Sequence, residues 1–366
     1  MNSKYITMHQ AICIIVVYIC GSSVVLGGNS EAGQDSWISL LLAQIIVIPM
    51  VLVYARIMKL FPEKNIYEIV EILFGKIIGK IVTIFILWYA IHLAALVLRN
   101  FSEFIEITSL PETPQLPLMI IMILVVVYAV KSGMEVLGKW ALISLFIIVF
   151  IMLFTIVLLF NQMKLDNFLP VMNHSTKTIL SASYEIFTFP FAETVLFLAV
   201  ADYVRKEDSP VKIYILADAL GALILLIVAL RNIAALGPAM LKAEYFPSYL
   251  AARIISVSDF LARIEGSIST NFILGGITKM SVCIIAASKG LSSLFNIQDY
   301  KKMIFPIGLC VLAMCGILYD NTLEMINFLE IYAIYVIPFQ IIIPVAIWIG
   351  GEIRKRMEEK VTETSA

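Results

Sequence analysis

Charge is what this sequence has least of. Only 14% of its 366 residues are Asp, Glu, Lys or Arg and 61% are hydrophobic, whereas a soluble domain is about 25% charged and about 45–50% apolar. No stretch is polar enough to coat a soluble domain, so an integral membrane protein is predicted. A formal net charge of −1 excludes a polybasic nucleic-acid binder. The five cysteines (Cys13, Cys20, Cys283, Cys310 and Cys315) lie in apolar runs with no CxxC or Cys/His ligand spacing. They are read as buried free thiols rather than a disulfide framework or a zinc site. The three histidines, His9, His92 and His174, do not make a metal centre. HExxH, GxSxG, Walker A and GxGxxG contexts are also missing, so no enzymatic activity and no cofactor are expected, and ATP-driven transport would need a partner chain.

Long apolar runs dominate what is present. A span needs roughly 20 mainly apolar residues, and ten segments qualify: about 6–28, 36–60, 81–104, 116–131, 138–161, 179–204, 211–236, 257–287, 303–319 and 324–350. With a cytoplasmic N-terminus, 18 of the 26 Lys and Arg fall in inner loops and tails. Lys164, Lys177, Arg231, Lys242 and Arg253 lie at the outer rim, and Arg99, Arg263 and Lys279 lie within spans. That asymmetry predicts ten spans with both termini inside. Lys4 ahead of an apolar run ending at Gly21-Ser22-Ser23 has the outline of a signal peptide, but one Lys is a weak n-region and removing the span inverts the charge pattern. The segment is kept as the first span.

Two spans are interrupted at mid-depth. The first carries Gly21-Ser22-Ser23 and then Gly27-Gly28, and the sixth carries Thr188-Phe189-Pro190-Phe191-Ala192-Glu193. Proline removes an amide donor and clashes with the preceding turn, and opened backbone at mid-membrane is tolerated only against protein or a water-filled cavity. A proline kink with small-residue packing is the structural account of either break alone. Ten spans divide into five plus five, however, and the broken ones open each half with opposite orientation. That is the mark of an inverted-repeat transporter of the LeuT type with a midplane site. The expected organisation is a first repeat over 1–161, an outer loop at 162–178, a second repeat over 179–350 and a cytoplasmic tail at 351–366, too short for a soluble signalling domain. Half-helix N-termini at the breaks would face an anionic group such as an amino-acid carboxylate.

Polar residues inside spans are expensive and face a partner or a cavity. Tyr89, His92, Leu96, Arg99 and Glu103 share one face of the third span, and Asn271, Gly275 and Thr278 one stripe of the eighth, with Asp259, Arg263 and Glu265 near its outer end. The rise per residue puts Arg99 and Glu265 at similar outer depth, so a buried Arg99–Glu265 pair is one expectation, as structural glue between scaffold helices. Lys279 lies roughly 9 Å toward the cytoplasm from its helix centre. It either snorkels to the interface or puts an ammonium where a symporter would hold its coupling cation. Glu193 either caps a half-helix or meets a ligand ammonium or carries a proton. Tyr89, Phe189 and Phe191 either wall an apolar pocket or fill the bundle core.

Several stretches in colinear order carry a resemblance. They are Gly33-Gln34-Asp35-Ser36-Trp37-Ile38, Phe74-Gly75-Lys76-Ile77-Ile78-Gly79-Lys80, Arg99 with Pro111-Glu112-Thr113-Pro114, Leu165-Asp166-Asn167-Phe168-Leu169-Pro170-Val171, Glu193, and Arg263-Ile264-Glu265. Over essentially its whole length the chain resembles the B subunit of the GerA-type nutrient germinant receptors of endospore-forming bacteria, within the amino acid–polyamine–cation superfamily. The resemblance implies a LeuT-like ten-helix fold in the spore inner membrane, with an A subunit and a lipoprotein C subunit as partners. It also implies a permease-like pocket that senses a germinant, often an amino acid, formed by Gly21, Ser22, Ser23, Tyr89, Leu93, Phe189, Pro190, Phe191 and Thr278. Glu193, Arg99, Glu265 and Lys279 are the candidates for coupling or gating. The chain departs from the family pattern at Pro190 and Lys279. A germinant sensor that triggers germination and ion release is the first functional expectation. A proton- or cation-coupled amino-acid or amine permease is the second, and a passive assembly scaffold with a vestigial pocket is the third.

Overall fold

A computed structural model describes residues 5–26, 30–255, 264–319 and 321–364. Gly27, Gly28, Asp259 and Arg263 of the sequence reading lie outside the described residues. Among the described residues nine helices are long and apolar enough to cross a membrane, and a shorter apolar helix, Met8–Cys20, precedes them. The all-α, ten-span expectation holds on that basis, with the first span split.

In chain order the helices are α1 (Met8–Cys20), α2 (Ser23–Leu26), α3 (Ser36–Leu60), α4 (Ile66–Thr108), α5 (Gln115–Ser132), α6 (Met134–Leu159) and α7 (Thr176–Ile186). Then come α8 (Pro210–Ala243), α9 (Pro247–Arg253), α10 (Glu265–Phe295), α11 (Ile304–Ile317), α12 (Thr322–Tyr335) and α13 (Ile343–Thr364). α1 starts where Thr7 and Gln10 form a capping box, satisfying two otherwise orphaned amides. Every residue from Gln10 to Cys20 is buried, and the stretch Leu274–Lys289 of α10 is buried likewise. α1 packs on α6, α8 and α10, and α10 runs along α4, so the bundle is built around these two helices. The outward faces carry exposed apolar side chains such as Ile45, Ile77, Phe146, Val157 and Ile317, a belt suited to hydrocarbon rather than water.

Several boundaries differ from the sequence expectation. The third span begins with an extension, 66–74, set off by Gly75 at φ 73°, a value glycine adopts without steric cost. The eighth span runs from Glu265 to Phe295, shifted toward the basic end, because its inner turns carry the buried polar residues Ser288, Lys289 and Ser292 that hydropathy discounts. The tenth is broken: Pro338–Ile342 forms a π turn between α12 and α13, where proline removes an amide donor. Residues 351–364 are the continuation of α13. Of the cysteines, Cys310 is exposed and the other four are buried.

Contacts among the span ends and loops fall at two ends of the bundle. At the basic end Arg56 pairs with Glu352 at 2.5 Å, Lys289 with Asp202, and Ile6 bridges Val204. At the opposite end Gln34 Nε2 donates to the Pro170 carbonyl at 3.3 Å. Asp35 accepts from the Met172 and His174 amides at 2.7 and 3.0 Å and lies 3.0 Å from His174 Nδ1. Two of the stretches that carried the resemblance, around Gly33–Ile38 and Leu165–Val171, thus form one latch.

Candidate functional site

The first break is Gly21-Ser22. α1 stops at Gly21, whose φ of 12° and ψ of −118° leave helical geometry. A Cβ on Gly275 would lie 2.8 Å from Gly21 Cα, so only two glycines allow α10 to touch the break. A Cβ on Gly21 would in turn lie 2.9 Å from Lys279 Cδ, so the Lys279 stem runs directly past the open backbone. The hydroxyls of Ser22 and Ser23 and both amide ends of Asn271 are buried without a hydrogen-bond partner among the described residues.

The sixth span is broken at Phe187–Phe191, where Phe189 takes φ −137° and ψ 109°. The chain then winds more tightly as a 3-10 helix over Ala192–Tyr203. Glu193 stands at the start of that segment, completely buried. Lys279 Nζ donates to Glu193 Oε2 and the Tyr332 hydroxyl to Glu193 Oε1. The Tyr18 hydroxyl donates to the Glu193 carbonyl at 3.2 Å. Lys279, also at 0% exposure, has its ammonium 4.6 Å from the Phe189 ring centroid and 5.3 Å from that of Tyr18, within cation–π range. Lys279 therefore does not snorkel. Its ammonium reaches across to the sixth-span break because a carboxylate there compensates the cost of burying it.

A third break meets the sixth-span break through Gln340, a residue the sequence reading missed. Gln340 Nε2 donates to the Thr188 carbonyl and to the Tyr89 hydroxyl, both at 2.9 Å. The Tyr54 hydroxyl donates to the Gln340 carbonyl at 2.6 Å and to that of Ala192 at 3.3 Å. The signal was available: Pro338-Phe339-Gln340 is a proline and an amide within an apolar run, much like the sixth-span break. Tyr89 stacks on Phe339 at 4.9 Å, and Tyr332, also missed, meets Phe189 edge-on at 6.3 Å.

Beside the ion pair lies a cavity of about 20 Å³, walled by Leu93, Leu96, Val97, Phe189, Met325 and Tyr332 and reached also by Glu193, Asn100 and Tyr319. That is room for about one water, so the site is packed closed. Of the predicted ligand residues, Leu93 and Phe189 line this cavity. Tyr89 is held by Gln340, and Gly21 backs Lys279. Thr278 hydrogen-bonds the Leu274 carbonyl of its own helix at 3.2 Å, and Pro190 and Phe191 are buried in the break. The expected Arg99–Glu265 pair is not formed. Arg99 pairs with Glu103 at 2.7 Å, since residues four apart on one helix meet without help from a neighbour. Glu265 instead lines a cavity with Thr108 and Arg253.

Interrupted helices enclosing a buried charge pair at mid-depth, in an all-helical membrane bundle, define a protein of the LeuT transporter fold. The solved structures agree. MhsT in complex with L-phenylalanine matches with a TM-score of 0.60 at 10% identity, over 96% of this chain and 99% of that one. Mhp1, a nucleobase-cation-symport-1 family transporter in a closed conformation with bromovinylhydantoin bound, matches at 0.61 and 13% identity, over 93% and 77%. The chain itself belongs to the spore germination protein family of spore permeases, whose model matches residues 5–325. Spore germination protein KB of Bacillus subtilis (strain 168) is 26% identical over 365 residues, 98% of both chains.

Proposed function

We propose that this chain is the ligand-sensing B subunit of a nutrient germinant receptor in the spore inner membrane, with both termini cytoplasmic and with an A subunit and a lipoprotein C subunit as partners. It binds a small germinant, an amino acid, at mid-membrane and thereby triggers germination and ion release. The observation that carries this reading is the small cavity bounded by Phe189 and Glu193 of the sixth-span break, within a family named for spore germination. Ligand binding there favours one arrangement of the broken helices over another, by no more than its differential affinity for the two. The likeness of the fold to MhsT and Mhp1 keeps a proton- or cation-coupled amino-acid permease as the second reading.

Purified chain in liposomes, offered radiolabelled amino acids, separates the two. Saturable binding without accumulation is the result expected of the receptor. Accumulation above equilibrium under a proton or sodium gradient would transfer the assignment to the permease. Germinant response unchanged in Tyr89→Ala and Leu93→Ala would leave only a scaffold with a vestigial pocket.

A further inference from the structure

Glu193 and Lys279 are at 0% exposure, on different spans, and directly paired. A pair at that depth is a costly element, and replacing such pairs with apolar residues is often neutral or stabilising. Structural glue alone is therefore a poor account of it. Its setting suggests another. Glu193 borders the cavity, Tyr332 covers its second oxygen, and the Lys279 stem lies against the Gly21 break, beside the unpartnered hydroxyls of Ser22 and Ser23.

We propose that the Lys279–Glu193 pair is an internal stand-in for a zwitterion, and that the amino acid of the reading above binds by ion-pair exchange with it. The inference rests on the reading above and narrows it. The entering ammonium takes Glu193 in place of Lys279, and the entering carboxylate takes Lys279 in place of Glu193. Charge is conserved in this exchange: one buried pair becomes two, each again of opposite sign. A simple amine that displaced Lys279 would leave a buried ammonium against two aromatic rings with no counter-charge. A simple carboxylic acid would strand Glu193 on the Tyr332 hydroxyl alone. Losing the partner of a buried charge is strongly destabilising, so neither half of the zwitterion suffices. To take the side chain, the cavity, which now has room for about one water, must widen between Leu93, Leu96, Val97 and Met325.

Scintillation-proximity competition on the purified full chain tests this with three matched sets. These are L-alanine, ethylamine and propionate; L-leucine, isoamylamine and 4-methylpentanoate; and L-phenylalanine, phenethylamine and 3-phenylpropionate. At least one amino acid should bind, with its amine and its acid each weaker by about 100-fold or more. An amine or acid binding within a few fold of its amino acid overturns the exchange while leaving a ligand-sensing pocket in place. Failure of all nine to bind overturns the ligand-sensing reading and the exchange together. The double variant Glu193→Gln/Lys279→Met strands no charge and should keep its unfolding temperature. It should lose the preference for the zwitterion, and retention of that preference also overturns the proposal.

Discussion

Gln340 shows how much one side chain can hold. It donates to the Thr188 carbonyl and to the Tyr89 hydroxyl, so it ties the tenth span to the sixth-span break and to α4 at once. Replacing it with Leu keeps the volume and removes both donors. Stranding the buried Thr188 carbonyl, while the Tyr89 hydroxyl keeps Tyr332 as a partner, costs about 1–3 kcal/mol, and the unfolding temperature in detergent should fall by a few degrees; an unchanged temperature would show that the tether carries no load. Gly275 is the steric counterpart. Its Cβ would sit 2.8 Å from Gly21 Cα and 2.9 Å from the Gly21 carbonyl, so Gly275→Ala must push α10 off the first break, at about 1–3 kcal/mol. Amino-acid binding should weaken more than stability does, because the displaced helix is the one that carries Lys279. Binding at wild-type affinity in Gly275→Ala would mean that the close approach has no role in the site. Gly21, Glu193 and Lys279 were all legible in the sequence as oddities in apolar runs. Their partners were not, because no periodicity says which buried carboxylate a lysine on another span will meet.

Among elements, the two breaks predicted at the first and sixth spans are present, and their common cause is plain: glycine with serine in one, proline in the other. The third, at Pro338–Ile342, was equally legible by the same rule and was passed over because the five-plus-five pattern accounts for two. The inner end of α10 holds the element least visible from sequence. Lys289 pairs with Asp202 and lies 4.2 Å from the Tyr203 ring and 5.6 Å from that of Tyr300, and the two tyrosine hydroxyls meet at 3.0 Å. Outside this cluster is a polar cavity of about 360 Å³ that includes Glu68, Glu71 and Ser292. Inside it, six residues or about 9 Å along the helix, is the fully buried thiol of Cys283. The cluster therefore closes the basic end. In a Cys310→Ser background, Asp202→Asn should expose Cys283 to a water-soluble methanethiosulfonate reagent, raising its labelling rate, followed by mass spectrometry, by about tenfold for each 1.4 kcal/mol of closure lost. The charge swap Asp202→Lys/Lys289→Asp should restore protection. Equal labelling in all three proteins would place the barrier elsewhere.

At the scale of the molecule, the broken helices move only if both ends of the bundle permit it, and the two ends are held differently. The basic end is held by ion pairs between side chains, Lys289 with Asp202 and Arg56 with Glu352. The opposite end is held chiefly by loop backbone folded onto one carboxylate. Asp35, whose side chain is fully buried, takes the amides of Met172 and His174. Asn167 Nδ2 donates to the Ala234 carbonyl at 2.8 Å, and Gly237, at φ 72°, leaves room for Asn167 where a Cβ would lie 3.2 Å from its Oδ1. The sequence signals of this latch were stretches tied to a family rather than to chemistry, since hydropathy treats an outer loop as featureless. Its physical logic is nevertheless simple: a loop that crosses the mouth of the bundle must satisfy its own amides, and Asp35 satisfies two. Asp35→Ala leaves both without an acceptor, at about 1–3 kcal/mol each, and frees the connection between α6 and α7. Hydrogen exchange at the Met172 and His174 amides should rise sharply. Exchange along α10 should change little, because that helix is packed along its length by α4 and α1. If protection were instead lost evenly across the bundle, the loop would be holding up the fold as a whole, and opening of the outer mouth would not be separable from unfolding.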